Sequence, residues 1–218
     1  MKQLKPLFIV FTVLLSITLG IVYLVPSLRK EKHISLEDQR SGLDMVEKNY
    51  GAAIDSASRI LGLPSAYLKA LCMLECGGRK RFEQRFEPHV YERLRKVKFG
   101  ETDNYEHVTR QMLSDANDDA LRNLASSWGP FQLMGYKCLL LDIKVRDIRG
   151  DQAVYYGAKW IKMTYGDYLK NKRYRDAFHI HNTGRPHPAI GKSRTYDPRY
   201  CSRGIKYMEY FGNDSVHQ

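Results

Sequence analysis

Leu71-Cys-Met-Leu-Glu-Cys-Gly-Gly78 is the stretch that decides the fold, because it ends an amphipathic helix on a carboxylate. Pro64 is predicted to take the first helical position, and the apolar stripe that includes Leu68 continues at helical spacing onto Glu75. Gly77 follows, and glycine commonly stops a helix in the left-handed conformation. Glu75 is therefore predicted to lie in the last turn of a buried helix, where the core meets a loop.

A carboxyl group in that position is suited to proton transfer. Desolvation and the negative end of the helix dipole both disfavour its charged form, so Glu75 is expected to serve as a general acid. The alternative is a surface glutamate that pairs with Arg79, Lys80 or Arg81 in the basic segment that follows. This stretch alone leaves both interpretations open.

The N-terminal end carries a long apolar run. Residues 6–27 contain no charged side chain, and Leu7–Val25 is almost wholly apolar. The run is long enough to span a bilayer, and Ile21–Val25 lacks the small-residue pattern of a signal-peptide cleavage site. The sequence therefore predicts an uncleaved transmembrane anchor with its flanks in residues 1–33, followed by one domain in residues 34–218.

The chain is strongly basic. Its formal net charge is +11, of which residues 1–33 hold +4 and the remaining chain +7. A basic domain suits nucleic acid, an anionic membrane surface or an acidic polymer outside the cell. The sequence contains no zinc-ligand spacing, no glycine-rich phosphate loop and no RNP-like strand, so no nucleic-acid partner is expected. Charge alone keeps a nucleic-acid binder as an alternative, whose affinity for duplexes would fall steeply with salt.

Four cysteines are spread along the chain: Cys72, Cys76, Cys138 and Cys201. Their number and spacing do not make a disulfide framework, and helix geometry disfavours a bond between Cys72 and Cys76. We interpret all four as small apolar packing residues. The histidines show no metal-ligand spacing, so neither a metal nor an organic cofactor is expected.

The second informative stretch is Ser126-Ser-Trp-Gly-Pro-Phe-Gln-Leu-Met-Gly135. Its Gly129-Pro130 pair forces a turn, and Phe131 and Met134 are predicted to anchor that turn among apolar neighbours. Gln132 is then held by a rigid backbone, and a fixed amide that donates and accepts hydrogen bonds suits an N-acetyl sugar. In isolation, the stretch is more typical of a packed core in which Gln132 is incidental.

The third stretch lies near the C-terminus. A helix over about residues 174–182 places His181 and Asn182 at its end, before Gly184 stops it. In isolation this is typical of a helix cap with a satisfied core histidine. The preceding helix includes Tyr165 in its apolar stripe, and Asp197-Pro198 is predicted to open a last helix.

The three stretches together resemble the motifs of a known family. In order and spacing, Glu75-Cys-Gly-Gly78, Ser127-Trp-Gly-Pro-Phe-Gln-Leu-Met-Gly135 and His181-Asn-Thr-Gly184 are similar to the three motifs of the lysozyme-like lytic transglycosylases, the SLT family. The resemblance covers roughly residues 61–211, most of the predicted domain, and implies an all-α, lysozyme-like (goose-type/SLT) fold.

The resemblance also implies roles for individual residues. It makes Glu75 the single catalytic acid/base, the turn from Gly129 to Gln132 a substrate-binding element, and Asn182 with Gly184 part of the cleft wall. Two positions depart from the family pattern: Cys76 stands where Ser is common, and His181 stands where Tyr is common. His181 is therefore expected to orient the substrate or Glu75 in its own way.

The implied reaction cleaves the β-1,4 bond between N-acetylmuramic acid (MurNAc) and N-acetylglucosamine (GlcNAc). Glu75 protonates that bond and then takes the proton from the 6-hydroxyl of MurNAc, which leaves a 1,6-anhydro sugar. A glycosidase that delivers water usually needs a second carboxylate. Arg85-Phe-Glu-Pro-His-Val-Tyr91 also resembles the related bacterial N-acetylmuramidases, so a hydrolytic muramidase that uses Glu87 is the first alternative. A catalytically inactive peptidoglycan-binding protein on the same scaffold is the second.

Location and partners follow from this substrate. Peptidoglycan strands lie outside the cytoplasmic membrane, so the domain is expected to face the periplasm or the cell exterior, held to the inner membrane by its N-terminal helix. The positive charge of the domain suits a polymer that bears peptide carboxylates, although salt screens this attraction.

Overall fold

The helical run that begins at Leu36 continues to Leu61, as its pattern predicts. The structure is a computed structural model, and it describes residues 36–80 and 84–214. The run consists of helix α1 (Leu36–Val46), a π-helical turn (Glu47–Gly51) and helix α2 (Ala52–Leu61). Gly62 then takes a left-handed conformation (φ 66°) and ends α2.

The helix that carries Glu75, α3 (Ser65–Cys76), lies in the main core. The prediction for its start is wrong by one residue: Pro64 is the N-cap, because its ψ of 118° is extended and helical geometry begins at Ser65. Leu68 and Leu71 are completely buried, and burial of such a side chain contributes on the order of 1.5–3 kcal/mol. Gly77 has a φ of 59° and ends the helix directly after Cys76, as predicted.

The chain between α3 and Gly150 forms short elements around two smaller apolar clusters. The helices are α4 (Pro88–Phe99), α5 (Asp118–Leu124) and α6 (Lys137–Leu141), with 3-10 turns at Gln111–Leu113 and Val145–Ile148. The strands are β1 (Arg85–Phe86), β2 (Asn104–Tyr105), β3 (Val108–Thr109), β4 (Ser126–Trp128) and β5 (Leu133–Met134). Strands β1, β4 and β5 form an antiparallel sheet in that order, and β2 pairs with β3. The β4–β5 hairpin therefore presents the turn at residues 129–132.

Three C-terminal helices complete the main core. They are α7 (Ala153–Lys170), α8 (Tyr174–Thr183) and α9 (Tyr200–Asp214). Helix α9 packs chiefly on α3, α7 packs on α2, and α8 contacts both α7 and α9. The last helix begins at Tyr200 and not at the predicted Asp197-Pro198, because the Asp197 side chain accepts a hydrogen bond from the backbone N–H of Arg199 in a preceding turn.

The fold class is mostly helical. Helix accounts for 63% of the structure and strand for 6%, which agrees with the predicted all-α class. The finer prediction of a lysozyme-like domain remains a prediction. Among the helices within residues 36–80 and 84–214, none is long and apolar enough to cross a bilayer. The predicted anchor in residues 1–33 lies outside the described residues.

Candidate active site

Glu75 lies in the last turn of α3, with its carboxylate at the edge of the core. Its side chain is 17% exposed. Its neighbours on the helix, Cys72 and Cys76, are buried, and the chain leaves the helix at the left-handed Gly77. The helix end thus places the carboxylate where the core meets the loop, as the sequence predicts.

Tyr200 is the hydrogen-bond donor to Glu75. It is the first residue of α9, and its hydroxyl donates to Oε1 of Glu75. Burial, followed by the charge of Glu75 and the hydrogen bond itself, raises the pKa of Tyr200 well above its usual value. The phenol therefore stays protonated and remains a donor at neutral pH.

His181 faces Glu75 from a second helix. Its Nε2 lies 3.8 Å from Oε1 of Glu75, and its side chain is 11% exposed. The same Nε2 lies 3.1 Å from the backbone oxygen of Phe131, and Nδ1 lies 2.7 Å from the hydroxyl of Tyr165. Because a carbonyl oxygen can only accept, Nε2 carries the proton, and in the neutral ring Nδ1 accepts from Tyr165.

Burial keeps this imidazole in its neutral form. Desolvation lowers the pKa of His181 from its usual value of 6.5, although the nearby Glu75 and the hydrogen bond to Phe131 act in the opposite direction. His181 therefore connects helix α8, helix α7 and the β4–β5 turn at a point next to the carboxylate.

The β4–β5 turn is fixed by its backbone. The N–H of Gln132 donates to the carbonyl of Gly129 over 3.0 Å, and Gly129 and Gln132 have positive φ values of 73° and 49°. A Cβ atom added at Gly129 would lie 2.8 Å from the backbone oxygen of Ile148, so this position requires glycine. The rigid turn that the sequence predicts is confirmed.

The side-chain amide of Gln132 forms hydrogen bonds within its own hairpin. Its Oε1 accepts from Ser127 Oγ over 2.8 Å, and its Nε2 donates to the Gly129 oxygen over 3.2 Å. One N–H and one lone pair remain, so the amide retains one donor and one acceptor for a ligand. Substrate binding by Gln132 stays a prediction.

The other predicted site residues occupy three different environments. Phe131 is 2% exposed and packs in the main core, so its contribution near Glu75 is its backbone oxygen. Met134 packs against the cluster around α4 and α5, away from the main core. Asn182 is exposed at the end of α8, and Gly184 caps that helix with a φ of 75°, as predicted.

Glu87 directly follows strand β1 of the sheet that carries the hairpin. It is the N-cap of α4, and its N–H donates to the Ala125 oxygen over 2.9 Å. Its side chain is 21% exposed and contacts Arg85 at 2.8 Å and His89 at 3.6 Å. Among the described residues these are the ion pairs of Glu87, and Glu75 is not its contact partner.

The surface ion pair offered as an alternative for Glu75 is not formed with Arg79. The Nε of Arg79 donates to the Cys76 oxygen over 3.3 Å. The π turn holds this segment, since Asn49 donates to the Gly78 oxygen (2.8 Å) and Tyr50 to the Arg79 oxygen (2.9 Å). Arg81 lies outside the described residues.

All four cysteines are free and buried, which confirms their interpretation as packing residues. The sulfur atoms of Cys72 and Cys76 lie 3.6 Å apart without a bond. Burial raises the pKa of Cys72, whereas its hydrogen bond to Cys76 lowers the pKa of Cys76. Within residues 36–80 and 84–214, no three His, Cys, Asp or Glu side chains are grouped as metal ligands would be.

Sequence reasoning missed the tyrosines of the site. The sequence predicts Tyr165 only as part of an apolar stripe and predicts no role for Tyr200. Both are buried, at 3% and 8% exposure, and burial raises the pKa of each phenol. Periodicity predicts that such side chains face the core, but it cannot tell which polar group meets each hydroxyl.

No protein-family model matches this chain, and no curated protein or solved structure shows significant similarity to it. The likeness to lytic transglycosylases therefore rests on the three sequence motifs.

Proposed function

We propose that this protein is a peptidoglycan lytic transglycosylase that cleaves the β-1,4 bond between MurNAc and GlcNAc. One observation carries the proposal: the half-buried Glu75 carboxylate is held by the Tyr200 phenol and faces the His181 imidazole. Intramolecular transglycosylation needs one acid/base, whereas hydrolysis usually needs two carboxyl groups.

The reaction then proceeds through Glu75 alone. Its carboxyl proton passes to the glycosidic oxygen as the bond from that oxygen to C1 of MurNAc breaks. The 6-hydroxyl oxygen of the same MurNAc attacks C1, and its proton returns to the Glu75 carboxylate. No water is consumed, and Glu75 ends in its starting state.

Hydrolysis is the second candidate function, and the position of Glu87 favours it. Its backbone hydrogen bond to Ala125 places Glu87 beside strand β4, whose hairpin contacts His181. If a bound glycan strand brings the two glutamates to opposite sides of one bond, Glu87 supplies the base that activates water.

The test is to incubate the full chain, in detergent, with purified peptidoglycan and to weigh the released fragments by mass spectrometry. We expect muramic-acid ends that are lighter by one water than hydrolytic ends. Glu75→Gln should lower the rate of release by about 10²–10⁴-fold, the usual contribution of a general acid or base.

Glu87→Gln is the matched control, because it removes the candidate second carboxylate and leaves Glu75 intact. Transglycosylation predicts near-normal release by this variant. Ordinary reducing ends, lost with Glu87→Gln, would replace the proposal with a muramidase. Binding to peptidoglycan without any released fragment would favour the inactive scaffold.

The proposed substrate also places the domain outside the cytoplasmic membrane, tethered by the predicted anchor. Added protease should therefore degrade the domain in intact spheroplasts. Protection of the domain there would contradict this location.

A further inference from the structure

The segment between helices α8 and α9, residues 185–199, displays two large hydrophobic side chains. We call it the strap. Ile190 is 94% exposed and Tyr196 is 91% exposed. The other exposed large hydrophobic side chains in the described part of the chain reach at most 66%, at Ile60 on α2. The two extreme cases thus lie within one short segment.

The strap is also basic. Exposed cationic side chains stand at Arg185, Lys192, Arg194 and Arg199. Its acidic residue, Asp197, contacts Arg203 on the neighbouring helix α9 at 2.7 Å and Arg199 within the strap at 3.8 Å. The strap therefore combines apolar side chains with an excess of positive charge.

Partly buried hydrogen bonds hold the backbone of the strap in place. His179 on α8 is completely buried. Its Nδ1 lies 2.7 Å from the Arg185 oxygen, and its Nε2 accepts from the Arg194 N–H over 3.1 Å. The N–H of His187 donates to Asp176 over 3.0 Å. These hydrogen bonds fix the backbone of the strap at Arg185, His187 and Arg194, and the exposed side chains project from that fixed segment.

We propose that the strap is a contact surface for a membrane that contains anionic lipids. Tyrosine is enriched where a membrane meets water, and a neighbouring aliphatic side chain gains by entering the boundary of the acyl chains. Lysine and arginine are attracted to anionic headgroups at the same depth. Ile190 offers neither a stacking face nor a hydrogen bond, so a lipid surface suits the strap better than a sugar does.

This inference does not depend on the proposed reaction, but it bears on where that reaction would take place. The strap joins the helix that ends near His181 to the helix that begins at Tyr200. Its contact with lipid would therefore hold the Glu75 site close to the membrane surface.

The test labels the full chain at single positions with a fluorophore that is sensitive to polarity. Ile190→Cys and Tyr196→Cys carry the label in the strap, and Ile60→Cys carries it on α2 as the matched exposed control. The four natural cysteines are buried, so the introduced thiol is the accessible one. Each protein is mixed with vesicles of phosphatidylcholine alone or of phosphatidylcholine with phosphatidylglycerol.

With phosphatidylglycerol, we expect the strap labels to shift to the blue and to become protected from iodide, while the label at position 60 does not change. Lys192→Gln and Arg194→Gln should each weaken this protection about fivefold, the contribution of one cation near an anionic surface. High salt should weaken it as well.

Two results would overturn the proposal. One is a strap label that responds to anionic vesicles no more than the label at position 60 does. The other is protection of the strap labels by soluble peptidoglycan fragments without vesicles, which would make the strap a glycan contact. Fragment release by the unlabelled protein reports on the proposed reaction separately.

Discussion

Two histidines on helix α8 illustrate how one residue type serves two different regions. His179 and His181 are two positions apart, so an α-helix directs them to nearly opposite sides. His179 is fully buried and bonds to the strap at Arg185 and Arg194. His181 is slightly exposed and lies among Tyr165, Phe131 and Glu75.

The two rings are held as opposite tautomers. His179 accepts a backbone N–H at Nε2, so its proton is on Nδ1 and is donated to a backbone oxygen. His181 donates from Nε2 to a backbone oxygen and accepts a tyrosine hydroxyl at Nδ1. The first ring therefore fixes a segment of backbone, whereas the second connects three elements beside an acidic side chain. Neighbouring groups, and not residue type, determine these roles.

The largest expected effect is on catalysis when His181 is removed. His181→Ala takes away the contact between α8 and the β4–β5 turn, so Glu75 and the turn lose their mutual position. A displacement of about 1 Å at an active site can lower a rate about 10²-fold, and we expect a loss of that size in fragment release from peptidoglycan per folded molecule.

The control for this experiment is His179→Ala on the same helix. It should leave the rate within about threefold of the wild type, because its ring does not touch the site. It should instead lower the free energy of unfolding by about 1–3 kcal/mol, since two partly buried hydrogen bonds of the His179 ring are lost. Equal rate losses in both variants would mean that His181 acts through general stability and does not position Glu75.

The local signals in the sequence account for most helix ends. Glycines at positions 77 and 184 stop helices in the left-handed conformation, as predicted, and Gly62 does the same at the end of α2. Such ends depend on a few adjacent residues, so the end of the Glu75 helix could be found without the fold. The start of α9 was misplaced because Asp197 forms a turn of its own before the helix begins.

The contacts within the site could be predicted less well, because they depend on tertiary structure. Tyr200 is distant in sequence from Glu75, and α9 must pack on α3 before the two side chains meet. Tyr165 lies at a kink of α7, with φ −145° and ψ 24°; the adjacent Gly166 weakens the helix there but does not show which group the Tyr165 hydroxyl meets. The sequence therefore predicted the acidic residue and the rigid turn but not the hydroxyl groups that hold them together.

The second largest expected effect is a pH dependence of stability that His181 causes. Its folded pKa lies below the usual 6.5, so between these two values the unfolded chain binds a proton that the folded chain does not. Stability should therefore be complete above about pH 6.5 and fall as the pH drops toward the folded pKa, by at most about 1.4 kcal/mol per pH unit. Urea unfolding at several pH values measures it, and His181→Gln should remove this part of the slope. An unchanged slope in that variant would assign the acid sensitivity to other groups.

The smallest effect is expected from Tyr165→Phe, which tests whether His179 and His181 are opposite tautomers. The hydroxyl of Tyr165 donates to Nδ1 of neutral His181 and so disfavours protonation of the ring. Its removal should raise the pKa of His181 toward 6.5 and cost about 1 kcal/mol of stability. Titration of the His181 ring by NMR measures the change in its pKa. A fall in the pKa of His181 would show that Nδ1 carries the proton and that Tyr165 accepts it. His181 would then have the same tautomer as His179, and the contrast between the two rings would rest on their surroundings alone.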